Sequence, residues 1–170
     1  MNTPTKIITH HAWSGTNYTV EMCDNDHKAR WPGFISRRGY HVGYHWFIEF
    51  DGTATQTRDY DEEGAHCIGA NRSSIGVCFA GNFDVHKPSR AQIDAWIDVY
   101  ADIVANYPDI GVEDIYPHRK YATKSCHGKL LDDHYFKSFI GQDRTKMKQQ
   151  LEAIKQQLIQ LFSLLTNRRV

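Results

Sequence analysis

A chain of 170 residues, 41% hydrophobic and 24% charged, has enough apolar content for one folded domain and excludes a disordered or low-complexity polypeptide. Lys and Arg together number 20, as do Asp and Glu, so the formal net charge is zero. No overall field then favours nucleic acid or an acidic membrane, and no nucleic-acid partner is expected. The ten histidines raise the expectation of metal or proton chemistry, because imidazole serves both near neutral pH.

The N-terminal stretch MNTPTKIITHHAWSG lacks a basic segment followed by a long apolar run. No signal peptide is therefore expected, and no segment is apolar enough to span a bilayer. The expected localisation is cytoplasmic as made. Residues Lys6 to Thr9 read as a short buried strand ending at His10-His11. Thr19 caps a helix that runs to Arg30 and is stopped by Trp31-Pro32-Gly33. After the loop FISRRGYH, the segment GYHWFIEF reads as a strand, Asp51-Gly52 as a hairpin turn and TATQTR as the returning strand.

Residues Asp59 to Ser73 are loop-like, and a buried strand follows from Ile75 to Ala80. Ser89 and Gln92 form a capping box for a helix reaching Asn106, with Ile93, Trp96, Ile97, Tyr100 and Val104 on its apolar face. Tyr107-Pro108 ends it. A loop carries His118, Lys124 and Cys126, a short helix covers Asp132 to Phe139, and Asp143 to Asn167 reads as one long amphipathic helix. Strands alternating with helices predict an α/β fold, a central mixed β-sheet flanked by helices. The predicted division is a domain over 1–141 and a helical extension over 142–170.

Of the four cysteines, Cys78 lies in the apolar run SIGVCFAG and reads as core. Cys23 and Cys67 read as buried or idle thiols, since scattered cysteines in a cytosolic chain rarely form a disulfide framework. Catalytic zinc needs three protein donors and an open fourth position. His10 at a strand end, with His118 and Cys126 flanking PHRKYATKSCHG, offers such a trio. Any histidine-rich chain offers some trio, however, and composition alone leaves a structural reading ahead.

Four segments in order change that weighing: IITHH, VGYHWFIEFDGT, GAHCIGANRSSIGVCFAGNFD and PHRKYATKSC. Together they resemble the type-2 N-acetylmuramoyl-L-alanine amidases, which include short phage amidases and the peptidoglycan recognition proteins. The resemblance runs from about Lys6 to about Phe139. It implies the amidase fold, peptidoglycan as partner and Zn2+ as cofactor. His10, His118 and Cys126 are the implied ligands, and Tyr44 and Lys124 the catalytic pair. His66 is assigned to substrate binding or help in proton transfer, with a structural role as the alternative. The implied activity is hydrolysis of the amide between N-acetylmuramic acid and L-alanine, on the cell wall after release, as a phage endolysin does.

Two departures stand out. The usual Cys-Pro-Gly is Cys126-His127-Gly128, which removes a rigid turn and adds His127 as a competing donor. The loop WPGFISRRGYH is longer than usual, either lining the cleft or lying on the surface. His11 points away from His10 along the strand, and His41 and His45 are read as packing or supporting residues.

Two other function classes compete: a peptidoglycan-binding module without turnover, against which the retained Cys126 argues, and a regulatory interaction protein. A zinc peptidase would carry H-E-x-x-H, which this sequence lacks. In the C-terminal helix, Met147, Leu151, Ile154, Leu158, Leu161 and Leu165 recur in steps of four and three, with Ile159 and Phe162 widening the stripe. It is read first as a cover on its own domain, then as a homo-oligomer seam, and last as a membrane contact through Lys146, Lys148, Lys155, Arg168 and Arg169.

Overall fold

The computed structural model describes residues 1–166, with side chains at all of them except 142–151 and 161–166. Five strands form one sheet in the order β3-β2-β4-β1-β5. They are β1 (Ile7–His11), β2 (Trp46–Ile48), β3 (Ala54–Gln56), β4 (Ile75–Phe79) and β5 (Ile115–Pro117). The β2–β3 hairpin is antiparallel, whereas β2–β4, β4–β1 and β1–β5 are parallel. The sheet is thus mixed, as expected. The strand expected over GYHWFIEF shortens to three residues because backbone groups before it are spent elsewhere. Gly43 N–H donates to the His27 ring at 2.9 Å, and Gly43 C=O accepts from Ala65 at 2.9 Å.

Helices cover both faces. On one, Ile7, Ile75, Val77 and Phe79 meet α2 (Arg90–Asn106) and the start of α3 (Tyr135–Thr166) in the main core. On the other, Phe47 and Cys78 pack with Val20 and Cys23 of α1 (Val20–Arg30). Period-two alternation along β1 and β4 produces this split. Cys23, Cys67 and Cys78 are all buried free thiols. Helix α1 is capped by Thr19, whose hydroxyl accepts from Met22 N–H at 3.3 Å.

The capping box of α2 forms: Ser89 Oγ accepts from Gln92 N–H, and Gln92 Oε1 accepts from Ser89 N–H. Gln92 is fully buried because its amide also donates to Ile48 and Ala80 carbonyls, tying α2 to two strand ends. Ile93, Trp96 and Tyr100 are buried as expected, together with Val99 and Ile103, while Ile97 and Val104 are only partly covered.

Two expectations need correction. β5 lies inside the segment read as a loop, where Ile115 and Pro117 are buried against β1. The two C-terminal helices are also one, running unbroken from Tyr135 to Thr166. Phe136 and Ile140 anchor its start in the main core. Farther along, Ile154, Leu158 and Ile159 are 53%, 58% and 61% exposed, so the reading of this stretch as a cover on its own domain fails there. Met147, Leu151, Leu161, Phe162, Leu165, Lys146, Lys148, Arg168 and Arg169 lie outside the described side chains. Among the described residues, no helix is long and apolar enough to cross a membrane.

Candidate active site

The register of β1 against β5 assembles the site. Ile7 pairs with Ile115, Ile8 with Tyr116 and Thr9 with Pro117. One parallel step further sets His10 beside His118, and their ring centroids are 4.5 Å apart. The chain then makes a 3-10 turn over His118–Lys120 and doubles back, Arg119 N–H donating to Cys126 C=O at 2.6 Å. This return brings Cys126 Sγ to 3.7 Å from His10 Nδ1, and His11 N–H donates to the same sulfur at 3.4 Å. The donor atoms of His10, His118 and Cys126 all lie within 4.8 Å of one another.

Burial sets the charge states here. His10 is held well below the ordinary imidazole pKa, first by burial and then by the neighbouring His66 and His118 rings. Burial, with Lys124 nearby, lowers His118 too. Neutral imidazoles keep the lone pairs that ligation needs. Burial pushes the Cys126 thiol up to about 12, so it stays protonated unless a cation offsets its desolvation.

Above this trio opens a cleft of about 760 Å³. Tyr44 stands on its wall with its ring 5.0 Å from that of His10. Burial raises its hydroxyl well above the ordinary tyrosine pKa, so it remains a hydrogen-bond donor. Lys124 also lines the cleft and is exposed to solvent. Among the described residues, the only other charged lining side chain is Arg30, and no carboxylate forms the walls. Trp13, at φ 53° and 69% exposed, stands at the rim with Trp31 and Tyr121.

The long loop divides between the two readings offered for it. Trp31 reaches the cleft, whereas Arg37 and Arg38 pair with Asp59 and Asp61 on the outer surface.

The other histidines separate cleanly. His127 does not compete for a metal. Its Nε2 faces the Asp132 carbonyl at 3.2 Å and its Nδ1 the Thr9 hydroxyl at 2.6 Å, so both nitrogens are engaged on the far side of β1. His11 points to that side too, its Nδ1 accepting from Phe83 N–H at 2.9 Å. His45 is fully buried, with Nε2 facing the Glu62 carbonyl and Nδ1 accepting from Gly76 N–H, and burial lowers it to about 4. His41 accompanies Asp24. His66 lies inside the cleft wall against His10 rather than at its open rim, its Nδ1 3.0 Å from His10 Nε2.

Arg119 escaped the sequence reading. Its guanidinium donates to the Gly128 and Leu131 carbonyls at 2.8 and 2.6 Å and pairs with Asp133, holding the segment that carries Cys126. An arginine directly after a candidate ligand was the one available signal.

Residues 1–129 match the family model of N-acetylmuramoyl-L-alanine amidase. The endolysin of Enterobacteria phage K11 is 36% identical over 90 residues, covering 50% of this chain and 58% of that protein. Peptidoglycan-recognition protein SC2 of Drosophila simulans is 31% identical over 87 residues, covering 51% and 47%. The chain thus spans about half the length of the curated relatives it matches. Among solved structures, the N-acetylmuramoyl-L-alanine amidase LysC from Clostridium intestinale URNW superposes with a TM-score of 0.70 at 25% identity, covering 82% of this chain and 87% of that one. With the family model matched over all four segments around the cleft, the chain belongs to the N-acetylmuramoyl-L-alanine amidase family.

Proposed function

We propose that this protein is a zinc-dependent amidase that hydrolyses the bond between N-acetylmuramic acid and L-alanine in peptidoglycan, acting on the cell wall after release in the manner of a phage endolysin. The observation that carries the reading is the convergence of His10, His118 and Cys126 at the floor of an open cleft beside Tyr44. The donor set fits zinc: two neutral imidazoles and a thiol whose burial calls for a neighbouring cation. Zinc held there would supply a Lewis acid for the scissile carbonyl and bring water towards deprotonation near neutral pH.

The chain's own groups do the rest. Tyr44, kept protonated, donates a hydrogen bond to the oxygen on which charge develops. Lys124 brings an ammonium to the same cleft, to hold that charge or protonate the leaving amine. The carboxylate-free walls with Arg30 and Lys124 suit the anionic stem peptide. Trp13 and Trp31 offer flat apolar faces for sugar rings. Residues 1–141 form the catalytic unit in this reading.

Mass spectrometry of digested peptidoglycan tests it directly. The expected products are glycan strands stripped of peptide and free peptides beginning with L-alanine. Intact peptidoglycan retained on the protein with no such products would leave a binding module instead. Tyr44→Phe and Lys124→Ala are each expected to lower kcat roughly ten- to a thousandfold with zinc content unchanged. Wild-type turnover in both variants would remove the pair from the mechanism.

The exposed Ile154, Leu158 and Ile159 favour self-association as the role of the distal part of α3. Light scattering checks this: the full chain is expected to run as an oligomer and a chain ending at residue 141 as a monomer.

A further inference from the structure

The hydrogen bonds around His66 have a direction that can be read from one end. A backbone carbonyl only accepts, so the Ser74 hydroxyl gives its proton to Ala70 C=O, at 2.7 Å. Ser74 Oγ then faces His66 Nε2, at 3.5 Å, as an acceptor, which makes Nε2 the protonated nitrogen of His66. His66 Nδ1 is left with a lone pair, 3.0 Å from His10 Nε2. His10 must therefore carry its proton on Nε2 and present a bare Nδ1, the nitrogen that faces Cys126 Sγ at 3.7 Å.

The seat for this ring is built. A Cβ at Gly76 would meet His66 Cγ at 2.6 Å, and one at Gly64 would meet His66 Cδ2 at 2.6 Å, so two glycines make the slot. Asn71 Oδ1 accepts from the backbone N–H of both His66 and Cys67, at 3.0 and 2.7 Å, fixing the turn that delivers the ring. His66 is 8% exposed, so little of it is open to a substrate.

We infer that His66 is a positioning residue that selects the tautomer of His10 and aims its Nδ1 at the shared donor site, rather than a substrate contact. Outer partners of this kind raise the basicity and fix the orientation of a metal-binding histidine. The inference rests on the metal reading of the site, and it adds a role for a residue that touches neither substrate nor metal.

Two variants separate this role from general packing. His66→Asn places an amide oxygen where Nδ1 stood and keeps an acceptor for His10, whereas His66→Leu fills the slot without one. Zinc affinity, measured by competition with a chromophoric chelator, is expected to fall about 10- to 100-fold in His66→Leu and to recover most of that loss in His66→Asn. Long-range 15N–1H correlation spectra of the metal-free protein are expected to show His10 protonated on Nε2 in the wild type and a mixture of tautomers in His66→Leu. Thermal melts of both variants accompany the titrations. Equal zinc affinity in wild type and His66→Leu, or a wild-type His10 protonated on Nδ1, would overturn the inference. So would a His66→Asn that binds as weakly as His66→Leu while melting like the wild type. If wild-type protein binds no zinc, the metal reading fails instead, and the tautomer spectra still decide the role of His66.

Discussion

Replacing Cys126 by serine is expected to remove both zinc retention and peptide release while leaving the domain folded. The thiol is the only donor of the trio that can become an anion, and it is the one that balances the cation's charge. A serine hydroxyl does not ionise under the same conditions and is a poor zinc donor. The loss of affinity should exceed about 100-fold, the upper figure for losing an outer-shell partner alone. The fold should persist because the contacts of Cys126 are few and serine can meet them: His11 N–H donates to the sulfur at 3.4 Å and would donate to Oγ instead. Metal analysis after dialysis, a melting curve and the peptidoglycan digest give three independent readings. Stoichiometric zinc and undiminished digestion in the variant would show that the trio is not the catalytic centre.

The largest effect on stability is expected from Trp96→Ala. Trp96 is fully buried, with ring centroids 6.2, 6.0 and 5.8 Å from Phe79, Tyr100 and Phe136. It joins sheet, α2 and α3 in one contact. Truncation removes the largest side chain of the core and opens a cavity that its neighbours cannot close, a cost of about 3–5 kcal/mol. The indole N–H also donates to Phe136 C=O at 3.0 Å, and that hydrogen bond would be lost as well. Against a total stability of about 5–15 kcal/mol this is severe, and the urea midpoint should fall with little change in slope. Trp96→Phe keeps a ring and loses the donor, so a smaller cost is expected. A Trp96→Ala loss below about 1 kcal/mol would contradict the packing of α2 on α3.

Much of the fold was legible because its signals are local. Thr19 and the Ser89–Gln92 box announce helix starts through their own backbone partners, and Asp51-Gly52 announces a turn. β5 was not legible: three residues ending in proline show no periodicity, and only pairing with β1 makes them a strand. The merging of the last two helices was hidden by Gly141, which reads as a break yet sits inside α3. For the site, His10, His118 and Cys126 were named through family resemblance. Spacing alone did not join them, because the register that brings His118 beside His10 is a property of the sheet. For His66 the sequence left a substrate contact and a structural role open, and its enclosure by Gly64, Asn71, Ser74 and Gly76 depends on chain folding that no local pattern announces. His127 drew notice as a donor, but its two ring nitrogens are used by Thr9 and Asp132.

His10 and Cys126 stand 116 positions apart in the chain. The first sits on a strand laddered on both sides, and the second belongs to a segment hung from an edge strand with a single neighbour. A cation gripped by both, as proposed, would be, topologically, a removable cross-link that closes nearly the whole domain into one loop. By mass action it deepens the native well by about 2.7 kcal/mol when present at a hundred times its dissociation constant. Most of that gain falls on the edge, where local opening is easiest. If the proposed zinc is held there, the same three side chains would govern turnover and the durability of the sheet's open margin, and a chain without the cation would lose activity and fray at the same place.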